Sequence, residues 1–266
     1  MITERDGAQL FSITIGSGPD VVLLHPTPVH HAFWLPVAWL LADRYRLTLL
    51  DLRGHGESTL GAGPITMEKL AEDVHAVLAA LAVTQATFVG CSIGGYVVYE
   101  YWRRFPREVA SIALICGKPQ PDSAESTEKR KELMALAQQP DGLEKFFDFT
   151  AGMALGKTAQ RSQPRIFATA RAMMDGMSLD TMLAVQRGLM QRRNSVPTLK
   201  TISVPVCAVA GGEDETSTPA EMRAIADNVP NAEFHLLADA GHFAPLEQPN
   251  AVAKILGDFL RREYSQ

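Results

Sequence analysis

The stretch Gly90-Cys91-Ser92-Ile93-Gly94-Gly95 constrains the fold of this chain more than any other part of the sequence. Residues 86–89 before it have strand character, and residues 96–105 after it have helix character. Glycines two positions before and after a serine, between a strand and a helix, are the pattern of a nucleophile elbow. The turn is too tight for side chains at positions 90 and 94, and it raises the hydroxyl beside the helix N-terminus, where amides favour negative charge. A glycine-rich turn with an ordinary helix-capping serine is the alternative interpretation.

Apolar runs with strand character alternate with helical patterns along most of the chain. Asp6-Gly7 is a hairpin signal between a first strand and a second strand at residues 9–15. Further strands are predicted at residues 20–25, 47–50, 86–89, 111–116, 206–210 and 233–237, and the last helix at about 249–260. This alternation predicts an α/β fold with a mostly parallel sheet covered by helices on both faces.

Residues 117–200 interrupt that alternation with helical patterns at 124–137, 143–154, 166–174 and 179–192. We therefore predict a helical lid at 117–200, inserted after the sixth strand between two parts of one core, 1–116 and 201–266. Such a lid is expected over the carboxyl ends of the strands, where open α/β sheets bind ligands.

The composition excludes several classes of protein. The net charge of −5 gives no reason to expect nucleic acid or an anionic membrane as a partner. Cys91, Cys116 and Cys207 lie in or beside apolar runs, so we expect buried free thiols, with no disulfide framework and no metal-binding spacing. The sequence shows no apolar signal region at its start and no membrane-span-length apolar run, so the expected location is the cytoplasm.

A serine hydroxyl needs a general base and a group that orients the base. Two histidines follow Ser92, of which His235 lies inside the last predicted strand and His242 lies in the loop after it. His242 is therefore the candidate base. Asp214, which directly follows the strand at 206–210, is the candidate acid.

Other acids stay open as alternatives at this point. Glu213 and Glu215 flank Asp214 and are alternative acids one position away. Asp239 is close to the histidine in sequence, but it is too close to reach across the imidazole ring comfortably.

The tetrahedral intermediate also needs an oxyanion hole. One expected donor is the backbone N–H of Ile93, which directly follows the serine. The other is expected in the loop after the strand at 20–25, where Pro26 has no N–H and Thr27 is the next donor.

Over nearly its whole length the sequence resembles the α/β-hydrolase fold enzymes. Five segments carry this resemblance, and they occur in the same order as in the family. They are Leu24-His25-Pro26, Asp51-Leu52-Arg53-Gly54-His55-Gly56-Glu57-Ser58, Gly90–Gly95, Gly211-Gly212-Glu213-Asp214, and Gly241-His242 with Glu247-Gln248-Pro249. The family usually has His-Gly where this chain has His25-Pro26. Size, lid and the segment at 51–58 are similar to those of 3-oxoadipate enol-lactonases and cofactor-free haloperoxidase-like esterases.

The resemblance implies a serine hydrolase of a carboxylic ester or lactone, without a metal or organic cofactor. Serine at position 92 excludes the haloalkane dehalogenases and epoxide hydrolases of this fold, which carry aspartate there. Two alternatives use the same site: hydrolysis of a carbon–carbon bond in a ring-cleavage diketone, and haloperoxidase-like formation of a peracid. A ligand sensor that turns over slowly is an alternative of another class. The expected partner is a small-molecule ester or lactone that is apolar, with or without a carboxylate, and the chain is expected to be a monomer or homodimer.

The candidate substrate contacts lie near the oxyanion loop, in the methionine-rich lid and beside the histidine. The apolar candidates are Phe33, Trp34, Met153, Met174 and Phe243. Arg161 and Arg165 are candidates for binding a substrate carboxylate. For the lid residues the alternatives are core packing for the methionines and a solvated surface for the arginines.

Overall fold

A computed structural model describes residues 1–264, and one eight-stranded sheet forms its centre. The strands are β1 (Ile2–Arg5), β2 (Ala8–Ile15), β3 (Asp20–Leu24), β4 (Arg46–Leu50), β5 (Ala86–Cys91), β6 (Val109–Ile115), β7 (Val206–Gly211) and β8 (Ala232–Leu237). Their order is β1-β2-β4-β3-β5-β6-β7-β8. β2 pairs antiparallel with both β1 and β4, and all other neighbours are parallel. The predicted α/β fold is confirmed.

Helices connect the strands and cover both faces of the sheet. They are α1 (Leu35–Ala38), α2 (Met67–Ala80), α3 (Ile93–Arg104), α4 (Ala124–Ala137), α5 (Gly142–Ala154), α6 (Lys157–Ser162), α7 (Ile166–Ala172), α8 (Leu179–Met190), α9 (Val196–Leu199), α10 (Pro219–Asn228), α11 (Ala244–Glu247) and α12 (Pro249–Tyr264). Short 3₁₀ turns lie at His31–Trp34 and Pro106–Glu108.

The central strands β3 to β7 are buried on both faces, which explains their continuous apolar sequences. Leu24 of β3 and Phe88 of β5 belong to the apolar cluster that includes α2, α3 and α10. Leu23 and Val89, one position away on the same strands, belong to the cluster that includes α1, α12 and much of residues 117–200. Two cores therefore hold the sheet, one on each side.

The parallel strands bring four loops to one edge of the sheet. β3 ends before the loop with Thr27, β5 ends before Ser92, β7 ends before Asp214, and β8 ends before the loop with His242. Because the carboxyl ends of parallel strands lie at the same edge, distant segments of sequence meet there.

Residues 117–200, called the lid segment below, contain helices α4 to α9 and no strand. The helix predicted at 124–137 has those bounds in the structure, and the other three predicted helices differ by one or two residues at their ends. Buried side chains such as Met134, Phe146 and Met174 share a core cluster with the sheet. That the segment is a separate lid unit stays a prediction.

Sequence inspection missed α10, which connects β7 to β8. A signal for it was present: Thr218 and Glu221 form a reciprocal capping box, and Pro219 occupies the first turn. The six-residue α6 was also missed, because the preceding Gly156 supplies no side-chain cap and the helix is too short for periodicity to reveal.

Among residues 1–264, no helix is long and apolar enough to cross a membrane. The cytoplasmic location stays a prediction.

Candidate active site

Ser92 occupies a strained turn between β5 and α3. Its backbone has φ 52° and ψ −117°, in a region that side-chain-bearing residues rarely adopt. A Cβ at Gly94 would lie 2.2 Å from the Leu24 carbonyl oxygen, and a Cβ at Gly90 would lie 2.5 Å from the Gly94 carbonyl. The predicted need for glycine at both positions is therefore confirmed. Ser92 makes no side-chain cap to its helix, which is not how an ordinary capping serine behaves.

Asp214 and His242 form a buried pair at the same edge of the sheet. His242 Nδ1 lies 2.8 Å from Asp214 Oδ2, and Asp214 Oδ1 accepts the amides of Thr216 at 2.7 Å and Ser217 at 3.0 Å. Burial alone would raise the pKa of Asp214, but His242 and the two amides outweigh it and lower that pKa below its usual value. An ionised Asp214 accepts a hydrogen bond from Nδ1–H, so Nε2 of His242 is left free to act as a base.

The other acids that the sequence left open have different partners. Glu213 accepts the amide and the hydroxyl of Thr158 at 2.8 and 2.6 Å, and Glu215 pairs with Lys157 at 3.3 Å. Asp239 is exposed. The geometry therefore pairs the histidine with Asp214.

Glu247 fixes the loop that carries His242 to the lid segment. Its side chain is buried, and Oε2 accepts the amides of Gly241 at 2.9 Å and Gly156 at 3.0 Å. A further bond runs from the Phe243 amide to the Ala154 carbonyl at 3.1 Å. Burial raises the pKa of Glu247. Sequence inspection noted Glu247 within a family segment but did not predict this contact.

The two expected oxyanion donors have no hydrogen-bond partner within the part of the chain that the structure describes. Neither the Thr27 amide nor the Ile93 amide donates to another group there. The Thr27 hydroxyl lies 2.9 Å from His55 Nε2, and His55 Nδ1 lies 3.1 Å from the Arg53 carbonyl. Since a carbonyl only accepts, Nδ1 carries the proton and Thr27 donates to Nε2. Thr27 is thus held by its side chain while its amide stays free.

A second histidine, His25, also stabilises this loop through hydrogen bonds of both ring nitrogens. His25 Nδ1 lies 2.8 Å from the Pro26 carbonyl, and His25 Nε2 accepts the Leu52 amide at 2.9 Å. Burial lowers the pKa of His25 to about 3 and that of His55 to about 4, so both rings are neutral at pH 7.

Ser92 and His242 open into one cleft between the strand loops and the lid segment, with a cavity volume of about 100 Å³. The lining residues are Thr27, Pro28, Ser92, Tyr96, Arg130, Leu133, Phe146, Thr150, Met153, Ala154, Gln186, Leu189, Thr216, His242 and Phe243. Of the candidate substrate contacts, Met153 and Phe243 are among them.

The remaining candidate contacts lie outside this lining, which corrects the expectation from sequence. Phe33 and Trp34 are fully buried, and Phe33 packs edge-on against Phe243 with ring centroids 5.3 Å apart. Met174 is also fully buried in the core. Phe33 thus supports the wall of the cleft through Phe243, and none of these three side chains lines the cleft.

The two lid arginines are corrected in the same way. Arg161 is exposed and bonds Thr158 at 3.2 Å, on the outer side of α6. Arg165 is exposed just before α7. The arginine that does line the cleft is Arg130 of α4, together with Gln186 of α8. Nothing local marks these two residues, because which way each helix faces depends on its packing.

The three cysteines are buried free thiols, as predicted. Three groups of side chains have metal-ligating atoms close together: His30, His31 and Asp51; Cys116, Asp214 and His242; and Cys207, Glu233 and His235. Each contains groups already engaged with protein. In the first group, Asp51 accepts hydrogen bonds from the amides of His31 and Glu57. In the second group, burial raises the pKa of the Cys116 thiol, which disfavours the thiolate that binds metals. In the third group, Glu233 accepts a hydrogen bond from Arg262.

Known proteins resemble this chain over most of its length. The profile of the alpha/beta hydrolase fold matches residues 19–249. A pimeloyl-[acyl-carrier protein] methyl ester esterase of Xanthomonas campestris pv. campestris is 31% identical over 256 residues, 92% of this chain and 96% of that protein. 3-Oxoadipate enol-lactonase 1 of Acinetobacter baylyi is 26% identical, and the match covers 98% of this chain and 96% of that protein.

Among solved structures, a thermophilic esterase from Thermogutta terrifontis superimposes with a TM-score of 0.91 at 28% identity. The match covers 97% of this chain and 94% of that one. The elbow, the strand order and the extent of these matches lead to one conclusion: the chain belongs to the α/β-hydrolase fold family.

Proposed function

We propose that this protein is a serine hydrolase that cleaves a carboxylic ester or lactone through an acyl-enzyme on Ser92. The observation that carries the proposal is that Ser92, on its strained turn, shares a cleft with His242, whose ring is held by Asp214. Relatives named as an esterase and an enol-lactonase support hydrolysis of this type.

In the proposed mechanism, Ser92 Oγ attacks the carbonyl carbon while His242 Nε2 takes its proton. Asp214 holds the Nδ1–H tautomer and stabilises the imidazolium that forms. Collapse of the tetrahedral intermediate breaks the bond to the alcohol oxygen, which takes the proton from His242. Water then attacks the acyl-enzyme by the same proton transfers, releasing the acid and regenerating Ser92.

The Thr27 and Ile93 amides are the proposed oxyanion donors. Both are backbone groups without another partner in the described chain, so they cost no reorganisation when negative charge develops on the carbonyl oxygen. In hydrolases of this kind one such donor is worth about 2.7–4 kcal/mol of transition-state stabilisation.

The cleft favours a small substrate with an apolar portion. Leu133, Phe146, Met153, Leu189 and Phe243 supply apolar walls next to Ser92. A panel of esters, lactones and ring-cleavage diketones, with a peracid assay, would distinguish ester or lactone cleavage from the alternatives that use the same site.

Replacement of Ser92 tests the proposal. We expect Ser92→Ala to lower kcat for short p-nitrophenyl esters by about 10⁴-fold or more, because the nucleophile is removed. Ser162→Ala, an exposed serine on α6, is the matched control and should keep wild-type kinetics. Circular dichroism verifies folding of both variants.

Full esterase activity in folded Ser92→Ala would contradict the proposal. A slow-turnover sensor would instead release one equivalent of p-nitrophenol per chain and then stop.

A further inference from the structure

Arg130 places a positive charge inside the cleft that Ser92 opens into. It projects from α4 into a lining that is otherwise mostly apolar. Within the described chain no aspartate or glutamate lines this cleft, and the other titratable lining side chains are Tyr96 and His242. The lining therefore favours an anionic group on the bound molecule.

The ion pair that Arg130 makes does not cancel this charge. Arg130 Nε donates to Asp122 Oδ2 at 2.9 Å, but Arg192 Nη1 donates to Asp122 Oδ1 at 2.8 Å. Burial alone would raise the pKa of Asp122, but the two arginines outweigh it and lower that pKa, which keeps the carboxylate ionised. Two guanidinium groups thus share one carboxylate, and the cluster keeps a net positive charge.

Arg130 and Gln186 also keep free donors. Arg130 Nη1 donates to Gln186 Oε1 at 2.5 Å, which fixes the orientation of that amide. Among residues 1–264, neither Arg130 Nη2 nor Gln186 Nε2 has a hydrogen-bond acceptor. Each of these free N–H groups can therefore donate to an oxygen of a bound carboxylate.

We propose that Arg130 and Gln186 form a subsite for a carboxylate at the end of the substrate remote from the scissile carbonyl. The substrate class is then the monoester of a dicarboxylic acid, or a lactone that carries a free carboxylate. Leu133, Phe146 and Leu189 line the same cleft and receive the methylene chain. This inference rests on the proposed hydrolysis at Ser92 and adds what the hydrolase selects.

The test compares matched anionic and neutral substrates. The anionic series is the mono-p-nitrophenyl esters of dicarboxylic acids with four to eight carbons, and the neutral series is their methyl p-nitrophenyl diesters. We expect the best anionic substrate to exceed its neutral counterpart by about tenfold in kcat/KM, mainly through KM, because a charge-assisted hydrogen bond forms.

Variants assign that preference to the subsite. Arg130→Gln should lower the ratio of anionic to neutral kcat/KM by about tenfold, and Gln186→Leu by about threefold, since each removes a donor. Arg161→Gln and Arg165→Gln, which remove equal charge from outside the cleft, should leave the ratio unchanged. If Arg130→Gln fails to fold, the ratios of anionic to neutral kcat/KM in Gln186→Leu and in the wild-type protein still test the subsite.

Neutral diesters preferred at every chain length would overturn the subsite, and so would a ratio that survives both Arg130→Gln and Gln186→Leu. Either result, with neutral esters still hydrolysed, leaves the proposed function intact. Failure of the wild-type protein to hydrolyse any ester in either series would instead contradict the proposed function.

Discussion

The strand loops and the lid segment enclose the same cleft but are built differently. In the loops, backbone packs against backbone: a Cβ at Gly94 would lie 2.2 Å from Leu24, and one at Gly211 would lie 2.2 Å from the Gly241 carbonyl. The lid segment also has close backbone contacts, at Gly142 and Gly188, but neither glycine lines the cleft. The segment lines the cleft with side chains such as Leu133 and Met153. The loops therefore fix positions through the backbone, whereas the lid segment shapes the cleft with side chains that can be exchanged.

The two regions meet at residues 154–158. Glu247 holds Gly156 and Gly241 together, and Glu213 holds Thr158. The loop that carries His242 and the lid segment are thus joined at one junction, beside Asp214 and His242. The comparison predicts that substitutions in the loops change kcat and that substitutions in the lid segment change KM and selectivity.

The largest expected effect concerns the loop that carries Asp214. We expect Asp214→Asn to lower kcat by about 10³- to 10⁴-fold with little change in KM, because the amide favours the wrong imidazole tautomer. Asp239→Asn, on the exposed alternative acid, should retain wild-type rates. The measurement is steady-state hydrolysis of a neutral p-nitrophenyl ester. Equal losses in the two variants would remove the distinction between these acids.

The second prediction concerns the loss of folding stability at acid pH, which we expect to arise from two buried histidines in the strand loops. The folded pKa values of His25 and His55, about 3 and about 4, lie below the unfolded value of 6.5. The unfolded chain therefore binds protons that the folded chain does not, and stability falls as the pH is lowered from about 6.5 toward 4. Each histidine contributes a slope of up to about 1.4 kcal/mol per pH unit. The lid segment contains no histidine.

Urea unfolding at pH 7, 6 and 5 measures this slope, and His55→Gln should make it shallower by about one proton. Comparing the slopes of the two proteins isolates the histidine, because every other titrating group is common to both. One of these groups is Glu247, whose raised pKa changes stability with pH in the opposite direction. An unfolding free energy that is constant between pH 6.5 and 4.5 in the wild-type protein would show that these rings do not control acid stability.

The smallest expected effect lies in the lid segment. Met153 lines the cleft and is 42% exposed, so its substitution removes part of an apolar wall. We expect Met153→Ala to raise KM for an apolar ester by about threefold and to leave kcat nearly unchanged, because part of a methionine's burial energy is lost. Phe167→Ala, an exposed lid residue outside the cleft, is the control. A loss confined to kcat would contradict the expectation that substitutions in the lid segment change KM and selectivity.

Sequence inspection predicted the elbow, the parallel sheet and the pairing of Asp214 with His242 because each depends on short-range rules. A tight turn demands glycine at fixed positions, and parallel strands bring successive loops to one edge. It missed α10 despite a capping box, since the apolar face of that helix is short: Met222 and Ile225 are its buried residues.

Substrate contacts were harder to predict because they depend on how helices dock. Within α4, Met134 and Ala137 are the buried residues, so no continuous apolar stripe indicates which face turns inward. Arg130 lies 56 positions from Gln186, and their contact exists because α4 and α8 pack together. Arg161 and Arg165, whose local pattern suggested a role, lie outside the cleft.

The sequence by itself determined the turn at Ser92 and the order of Asp214 and His242, since local backbone geometry and strand order leave little freedom there. The tertiary structure decided which charge faces the serine: Arg130 and Gln186 line the cleft. The physical reason is that a helix exposes several faces, and the one that turns inward is chosen by long-range packing against the rest of the protein.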